Sequence, residues 1–359
     1  MTRNDRYGVT NLKPGVSALL PGLCHFWRTH TVQPQQHHRP RPALRLVSTN
    51  TLSREEWLQV RKKGLGSSDA AAAVGLNPYQ SQLELWLVKT GRDGKLPKDD
   101  PNDETSPMYW GTLLEPIVAA HYTKRTGLKV RRVNSVLQHP EHSWLLANID
   151  REVLGSSEVA ILECKTAGFH GSKLWRDGVP EYVQLQVQHQ LAVTGKAAAD
   201  VAVLLGGQEL QVHRVVRDDK LIARLLELEA RFWAYVESDT PPPADGSNSA
   251  AQALQALYPY DNGTTLDLRA DTELSTTFSD WLAVKAKREE LEAQEAQYKA
   301  TLQQAMGEAT RAEFEAGAVS WKRSKDSTVL DVEALLKAQP ALLQQYPKTR
   351  PGSRRFTLL

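Results

Sequence analysis

Asp150, together with Glu163 and Lys165 in the run Val159-Ala-Ile-Leu-Glu-Cys-Lys-Thr166, has the residue types and spacing to do chemistry. On an extended strand alternate side chains share a face, so Glu163 and Lys165 point together while Leu162 and Cys164 turn toward the core. The interval from Asp150 to Glu163 leaves room for a turn and a second strand, which would bring Asp150 back beside Glu163. Two carboxylates and a lysine around one point can hold a divalent cation and set a water against a phosphodiester. The same alternation also suits an ordinary amphipathic strand with its charges facing water.

Other residues join this set with bland alternatives beside them. Glu115, in Tyr109-Trp-Gly-Thr-Leu-Leu-Glu-Pro-Ile-Val118, is a lone acid among apolar neighbours. An acid on an apolar face is costly unless paired or metal-bound, although a solvent-facing position near Pro116 would also explain it. Tyr182, Gln186 and Gln190 lie four apart and share one face of a helix, with Gln184 and Gln188 on a neighbouring face. Amides in such a stripe can bond a phosphate, a water or a metal-bound carboxylate; a Gln-rich helix is more often a solvated surface helix. Arg61 precedes Ser68 by seven residues, and Ser67-Ser68-Asp69 opens a helix. Free amides, hydroxyls and a guanidinium there make a phosphate pocket, while plain N-capping accounts for the serines equally well.

Several function classes fall away. Net charge is only +2, from 44 Lys and Arg against 42 Asp and Glu, so any nucleic-acid contact must come from local basic clusters. The candidates are Arg61-Lys62-Lys63, Arg131-Arg132, Lys322-Arg323 and Arg354-Arg355. Cys24 and Cys164 are too few and too far apart for a disulfide scaffold or a four-thiolate zinc or iron–sulfur site. The histidines, among them His121, His139, His142, His170 and His189, show no metal-ligand spacing. There is no P-loop or dinucleotide fingerprint to support an ATPase or dehydrogenase. No apolar run approaches a membrane span, and the expected location is the cytoplasm.

These side chains must be positioned by regular elements. Residues 1–46 mix Pro, His, Gln and Arg without periodicity and are expected to form a flexible extension. Order is expected to begin near Ser53, an N-cap with Glu56 three residues on, followed by helices over 54–63, from Ser67 to Gly75, over 82–89 and over 109–126. Strands are expected over 130–136, 144–150, 152–154 and 159–166, then a helix holding 182–193, strands over 200–205 and 209–216, and a helix over 218–236. Ser238-Asp-Thr-Pro-Pro-Pro-Ala-Asp-Gly-Ser247 opens a linker, 239–267. In the helical stretch 272–308, Val284, Leu291, Tyr298 and Ala305 recur every seven residues, but Arg288 and Glu295 interrupt the alternate seam. So broken a heptad suits a helix packed on its own protein better than an oligomerising coiled coil. A strand at 318–323, a short helix at 332–337 and a basic tail complete the chain.

Taken together, these blocks resemble the YqaJ-like viral recombinase family, whose members look like the lambda-type phage exonuclease and belong to the PD-(D/E)xK nuclease superfamily. The resemblance runs from Trp57 to Val236. It includes Trp57-x3-Arg61, Gly64-Leu-Gly-Ser-Ser-Asp69, Gly75-Leu-Asn-Pro-Tyr79, Leu83-Glu-Leu-Trp86, Trp110-Gly-Thr-Leu-Leu-Glu115, Ala147-Asn-Ile-Asp150, Leu162-Glu-Cys-Lys165 and Tyr182-x3-Gln186-Val-Gln188. It implies an α/β (α+β) restriction-endonuclease-like core over 47–238, with a central mixed sheet flanked by helices, and a mainly helical C-terminal extension over 268–359. The implied activity is 5′-to-3′ digestion of double-stranded DNA ends. The 3′ overhangs would feed a single-strand annealing protein in phage-type recombination within a bacterial host.

By the same resemblance, Glu115, Asp150 and Glu163 fall on metal-binding acids, completed by the main-chain carbonyl of Cys164. Mg²⁺, or Mn²⁺ in its place, is the implied ion. Lys165 falls on the residue that orients or deprotonates the attacking water, Gln186 on a polar helix residue beside it, and Arg61 with Ser68 on the 5′-phosphate pocket. A ring-shaped homo-oligomer is implied only by analogy. The family often has Asp-Gly where this chain has Asp150-Arg151, and Arg151 is expected to tighten the hairpin or touch phosphate. The competing readings are a structure- or site-specific endonuclease of the same superfamily and a DNA-binding module without catalysis.

Overall fold

The structure, a computed structural model, describes residues 42–97, 100, 102–349 and 352–358. It divides into two compact units: one runs through Gly91 and resumes over Pro97–Pro243, the other takes Arg92–Leu96 and begins again at Ala244. The first unit contains, in chain order, β1 (Leu44–Ser48), α1 (Arg54–Lys62), α2 (Ala70–Ala73), α3 (Gln82–Lys89), α4 (Pro107–Thr126), β2 (Lys129–Arg132) and β3 (Ser135–Gln138). It continues with β4 (Leu146–Ala147), β5 (Arg151–Leu154), β6 (Ile161–Ala167), α5 (Glu181–Thr194), β7 (Ala198–Leu205), β8 (Glu209–Val216) and α6 (Asp219–Glu237). The second holds α7 (Asn248–Leu257), α8 (Thr272–Met306), the antiparallel pair β9 (Arg311–Phe314) and β10 (Gly317–Ser320), α9 (Val332–Ala338) and α10 (Ala341–Gln345).

The core of the first unit is a five-stranded mixed sheet ordered β2-β5-β6-β7-β8, with β6 and β7 parallel and the other pairs antiparallel. Parallel neighbours need a long crossover, and α5 provides it. The alternation along β6 is used on both faces. Leu162 packs with Val118, Ala119 and Tyr122 of α4, whereas Ile161 packs with Val183, Val187 and Leu191 of α5. A strand covered on both sides has no solvent-facing stripe, so Glu163, only 3% exposed, is buried under α5 rather than facing water.

Three expectations need correction. The strand expected over 130–136 is two strands in different sheets, because β3 pairs with β1 and β4 while β2 pairs with β5. Order also begins before Ser53: β1 pairs with β3, so the boundary expected at 46 falls inside a strand, and residues 1–41 lie outside the described residues. Within the stretch read as linker, α7 forms with Ser247 as its N-cap. The capping box of Ser53 and Glu56 is present as expected, and α3 has the expected bounds.

α8 departs differently from expectation. Instead of packing one face on its own protein, it buries none of its residues. Ion pairs spaced three or four apart lace its surface, Lys287–Glu290 and Lys299–Glu295 among them. Among the described residues no helix is long and apolar enough to cross a membrane.

Candidate active site

The short β4 breaks off at Ala147, and the chain bends through Asn148, Ile149 and Asp150 before β5 begins at Arg151. β5 then runs antiparallel to β6 with Arg151 opposite Leu162, which returns Asp150 to Glu163 as the spacing anticipated. The Cys164 amide donates to Asp150 Oδ2 at 2.8 Å, fastening the bend to the middle of β6. Burial, and then the facing Glu163 carboxylate, push the Asp150 carboxyl up to about 8. Two acids are thus confined where their joint charge is short of a cation.

Lys165 supplies part of that charge. Its ammonium donates to Glu163 Oε1 at 2.8 Å and to Gln186 Oε1 at 2.9 Å, while Gln186 Nε2 donates to Glu163 Oε1 at 2.6 Å. Burial works to lower the Lys165 ammonium, but Glu163 and Asp150 outweigh it and hold it above its ordinary value. Lys165 therefore keeps its proton at neutral pH. The Cys164 thiol is pushed up by burial and by Asp150, which leaves it a packing group with only its main chain facing the acids.

The amide stripe on α5 is not a surface feature. Val183, Leu185 and every residue from Val187 to Thr194 are buried. Gln190 Nε2 reaches Glu163 Oε2 at 2.8 Å and the Asn148 carbonyl at 3.0 Å, so one amide ties the two acid-bearing segments together. Gln188 is structural, bonding the Val216 carbonyl and the Asp218 amide, and Gln184 bonds the Val179 carbonyl. His189, passed over in the sequence, is fully buried between Glu229 and the Leu146 carbonyl. Its ring shares α5 with Gln186 and Gln190 and fixes the helix to β4.

Glu115 reaches this region from α4 and is engaged: Arg151 Nη1 lies 2.5 Å from Glu115 Oε1 and donates to the Asp150 carbonyl at 2.8 Å. Arg151 is 7% exposed and links the Asp150 main chain to α4. Its long-range partner was not readable from sequence, since the two residues are brought together only by α4 lying on the sheet.

Arg61 and Ser68, the pair expected at a 5′-phosphate, meet at the loop before α2. Gly64 has no room for a side chain, since a Cβ there would stand 2.6 Å from the Trp144 carbonyl. This close approach lets Leu65 bond to Trp144 and Leu146, docking the loop beside the strand that leads to Asp150. Arg61 donates to the exposed Ser68 hydroxyl at 2.6 Å and to Asp69 Oδ1 at 2.8 Å, above the face of Trp57. Buried Lys89 holds the other Asp69 oxygen at 2.6 Å. Burial raises the Asp69 carboxyl, but Lys89 and Arg61 overcome that and hold it at about 2. Neither Asp69 nor Lys89 was singled out in the sequence. The Ser67 hydroxyl makes a longer, 3.4 Å contact with the same Asn148 carbonyl that Gln190 holds.

The basic clusters contribute less. Arg131 is paired with Glu152 and Arg323 with Asp326. Among the described residues no group of three or more His, Cys, Asp and Glu side chains is gathered as a ligand set. The chemistry of the donors nevertheless fits a hard cation: Asp150, Glu163 and the Cys164 carbonyl offer only oxygen.

A model of the YqaJ-like viral recombinase domain matches residues 56–197. The uncharacterized protein YqaJ of Bacillus subtilis (strain 168) is 39% identical over 254 residues, covering 69% of this chain and 77% of that one. Among solved structures, an alkaline exonuclease (LHK-Exo) from Laribacter hongkongensis is 24% identical with a TM-score of 0.44, covering 52% of this chain and 93% of that chain. A phage related exonuclease from Haemophilus somnus 129PT is 12% identical with a TM-score of 0.36, covering 51% of this chain and 97% of the other.

Proposed function

The chain belongs to the YqaJ-like viral recombinase family, and from that membership and the geometry of its centre we propose that it is a metal-dependent nuclease acting on double-stranded DNA ends. It removes nucleotides in the 5′-to-3′ direction and leaves 3′ overhangs for a single-strand annealing protein. The observation that carries this reading is the Asp150–Glu163 pair with Lys165 pinned beside it by Glu163 and Gln186.

Glu115, Asp150, Glu163 and the main-chain carbonyl of Cys164 would hold Mg²⁺, with Mn²⁺ as a substitute. A cation bound there supplies Lewis acidity and a water of lowered pKa. Lys165 would orient or deprotonate the attacking water and support the negative charge that develops on the phosphate oxygen. Gln186 accepts from Lys165 and donates to Glu163, joining the two side chains in one network. Arg61 and Ser68 bind the 5′-phosphate of the strand being shortened, with Asp69 and Lys89 holding the guanidinium in place.

The test is digestion of linear duplex DNA with 5′-phosphate or 5′-hydroxyl ends, in Mg²⁺ and in EDTA, beside closed circular duplex. Metal-dependent shortening of phosphorylated ends, with circles intact and Lys165→Ala inactive, is the expected result. Cutting of the circles would replace this reading with the endonuclease. Binding of DNA without cleavage by folded protein would replace it with a non-catalytic module.

A further inference from the structure

Three side chains on one face of α5 stand at successive places along the acid centre. Gln190 holds Glu163 and the Asn148 carbonyl, and the Ser67 hydroxyl contacts that same carbonyl. This end of the helix therefore lies beside the loop whose Ser68 meets Arg61. One turn toward the N-terminus, Gln186 holds Lys165 and Glu163. A further turn on stands Tyr182, near enough to the Lys165 ammonium for their charges to interact. It packs on the core cluster that Ala167, at the end of β6, also covers. The Arg61–Ser68 pair and Tyr182 thus flank the acids from opposite ends of α5.

Tyr79 continues the Tyr182 end, with the two rings meeting edge to face at 5.8 Å and 89°. The turn that carries it is fixed. Gly75 takes a left-handed φ of 74°, and Asn77 Oδ1 accepts from the amides of Tyr79 at 2.8 Å and Gln80 at 3.2 Å. Yet Tyr79 is 65% exposed. A stiff support therefore holds this ring out in water, and the edge-to-face contact leaves at least one of its faces open. An open aromatic face beside phosphodiester chemistry suits a nucleobase.

We propose that Tyr79 is a stacking platform for the base on the 3′ side of the scissile phosphate, the second nucleotide from the 5′ end. With the 5′-phosphate at Arg61 and Ser68 and the scissile phosphate at the acids, the strand leaves past Tyr182 and lays that base on the Tyr79 ring. Every base has a π-face, so this grip carries no sequence preference. The inference rests on the nuclease reading and adds to it the path of the strand.

The experiment is equilibrium binding in Mg²⁺, by fluorescence anisotropy, of the full-chain Lys165→Ala protein to 5′-phosphorylated duplex DNA. The two terminal pairs are mismatched, so that removing a base there changes no pairing. The second nucleotide of the 5′-ended strand is either normal or abasic, and an abasic fifth nucleotide is the control. Removing the second base is expected to weaken binding roughly tenfold, the scale of one base–aromatic stack, and removing the fifth to change nothing. Tyr79→Ala in the same protein should bind both ends equally, at the weaker level, and Tyr79→Phe should restore the difference. A loss that survives intact in Tyr79→Ala overturns the proposal. So does the absence of any loss with Tyr79 in place, or an equal loss at the fifth position. Failure of the wild-type protein to digest any duplex sinks the nuclease reading itself, and that is read separately in the digestion test.

Discussion

Gln190 holds Glu163 through the same amide nitrogen that holds the main chain two residues before Asp150. The orientation of this amide is forced, because reversing it would aim an oxygen at a carboxylate and a carbonyl. Its own Oε1 is buried and has no hydrogen-bond donor among the described residues. Such an orphan costs about 1–3 kcal/mol, which the bridge must outweigh. Gln190→Met keeps the bulk and removes both bonds. Roughly 10–100-fold weaker Mn²⁺ binding is expected, with kcat reduced and KM for DNA ends unchanged. Equal Mn²⁺ affinity in a folded variant would reduce Gln190 to a packing residue.

The Asp150 carboxyl gives the metal-free protein a pH signature. Its ordinary value is 3.8 and its folded value about 8, so the unfolded chain loses this proton first. Stability of metal-free protein therefore falls as pH rises from 3.8 to 8. Asp150→Asn escapes this loss while retaining an acceptor for the Cys164 amide. Its melting temperature in EDTA should exceed wild type at pH 8, with the difference closing near pH 4. A difference independent of pH would mean that charge at Asp150 is not the cause.

At the other pocket, Arg61→Ala removes the guanidinium but leaves Asp69 paired with Lys89. Loss of a charge-assisted phosphate contact is worth about 1.5–3 kcal/mol, so KM for 5′-phosphorylated ends should rise by roughly tenfold or more. Ends bearing 5′-hydroxyl should be handled as before. If both substrates suffer equally, the residue serves general DNA affinity instead.

Asp69 itself predicts acid sensitivity. Its folded value of about 2 lies below its ordinary 3.8, so the stabilisation is present above pH 3.8 and is lost as pH falls toward 2. The amount is on the order of 2 kcal/mol. Lys89→Met strips the buried carboxylate of its closest cation and should destabilise the fold by roughly 3–5 kcal/mol, read from urea unfolding at pH 7. A flat acid limb for wild type between pH 4 and 2 would contradict this account.

Much of this centre was legible because its pieces lie on regular local elements. Glu163 and Lys165 follow the two-residue period of a strand, and Tyr182, Gln186 and Gln190 the period of a helix. What stayed hidden were partners set by tertiary packing: Arg151 with Glu115, Lys89 with Asp69, and His189 with Glu229. Each pair joins segments far apart in the chain, and no periodicity encodes which side chain will face which. The same blindness leaves a solvated helix as the bland alternative for α5, since polar amides look alike whether they meet water or a buried carboxylate. The fraying of one expected strand into β2 and β3 arose at Val133 and Asn134, where the chain changes sheets.

The parallel pairing of β6 with β7 bears on how this protein reaches its working state. Glu163, Lys165, Gln186 and Gln190 all sit within one β–α–β crossover, whereas Asp150 and Glu115 arrive from earlier in the chain. Parallel strands close only after the intervening helix has docked, a step that is slow because it joins distant segments. Until it closes, Gln186 and Gln190 are not held against Glu163 and Lys165, although the antiparallel β5–β6 pairing alone returns Asp150 to Glu163. The apolar residues of β7 beside β6, such as Val201 and Val203, carry no chemistry themselves, yet they stand in register with Glu163 and Lys165 and pack in the core that holds those two in place.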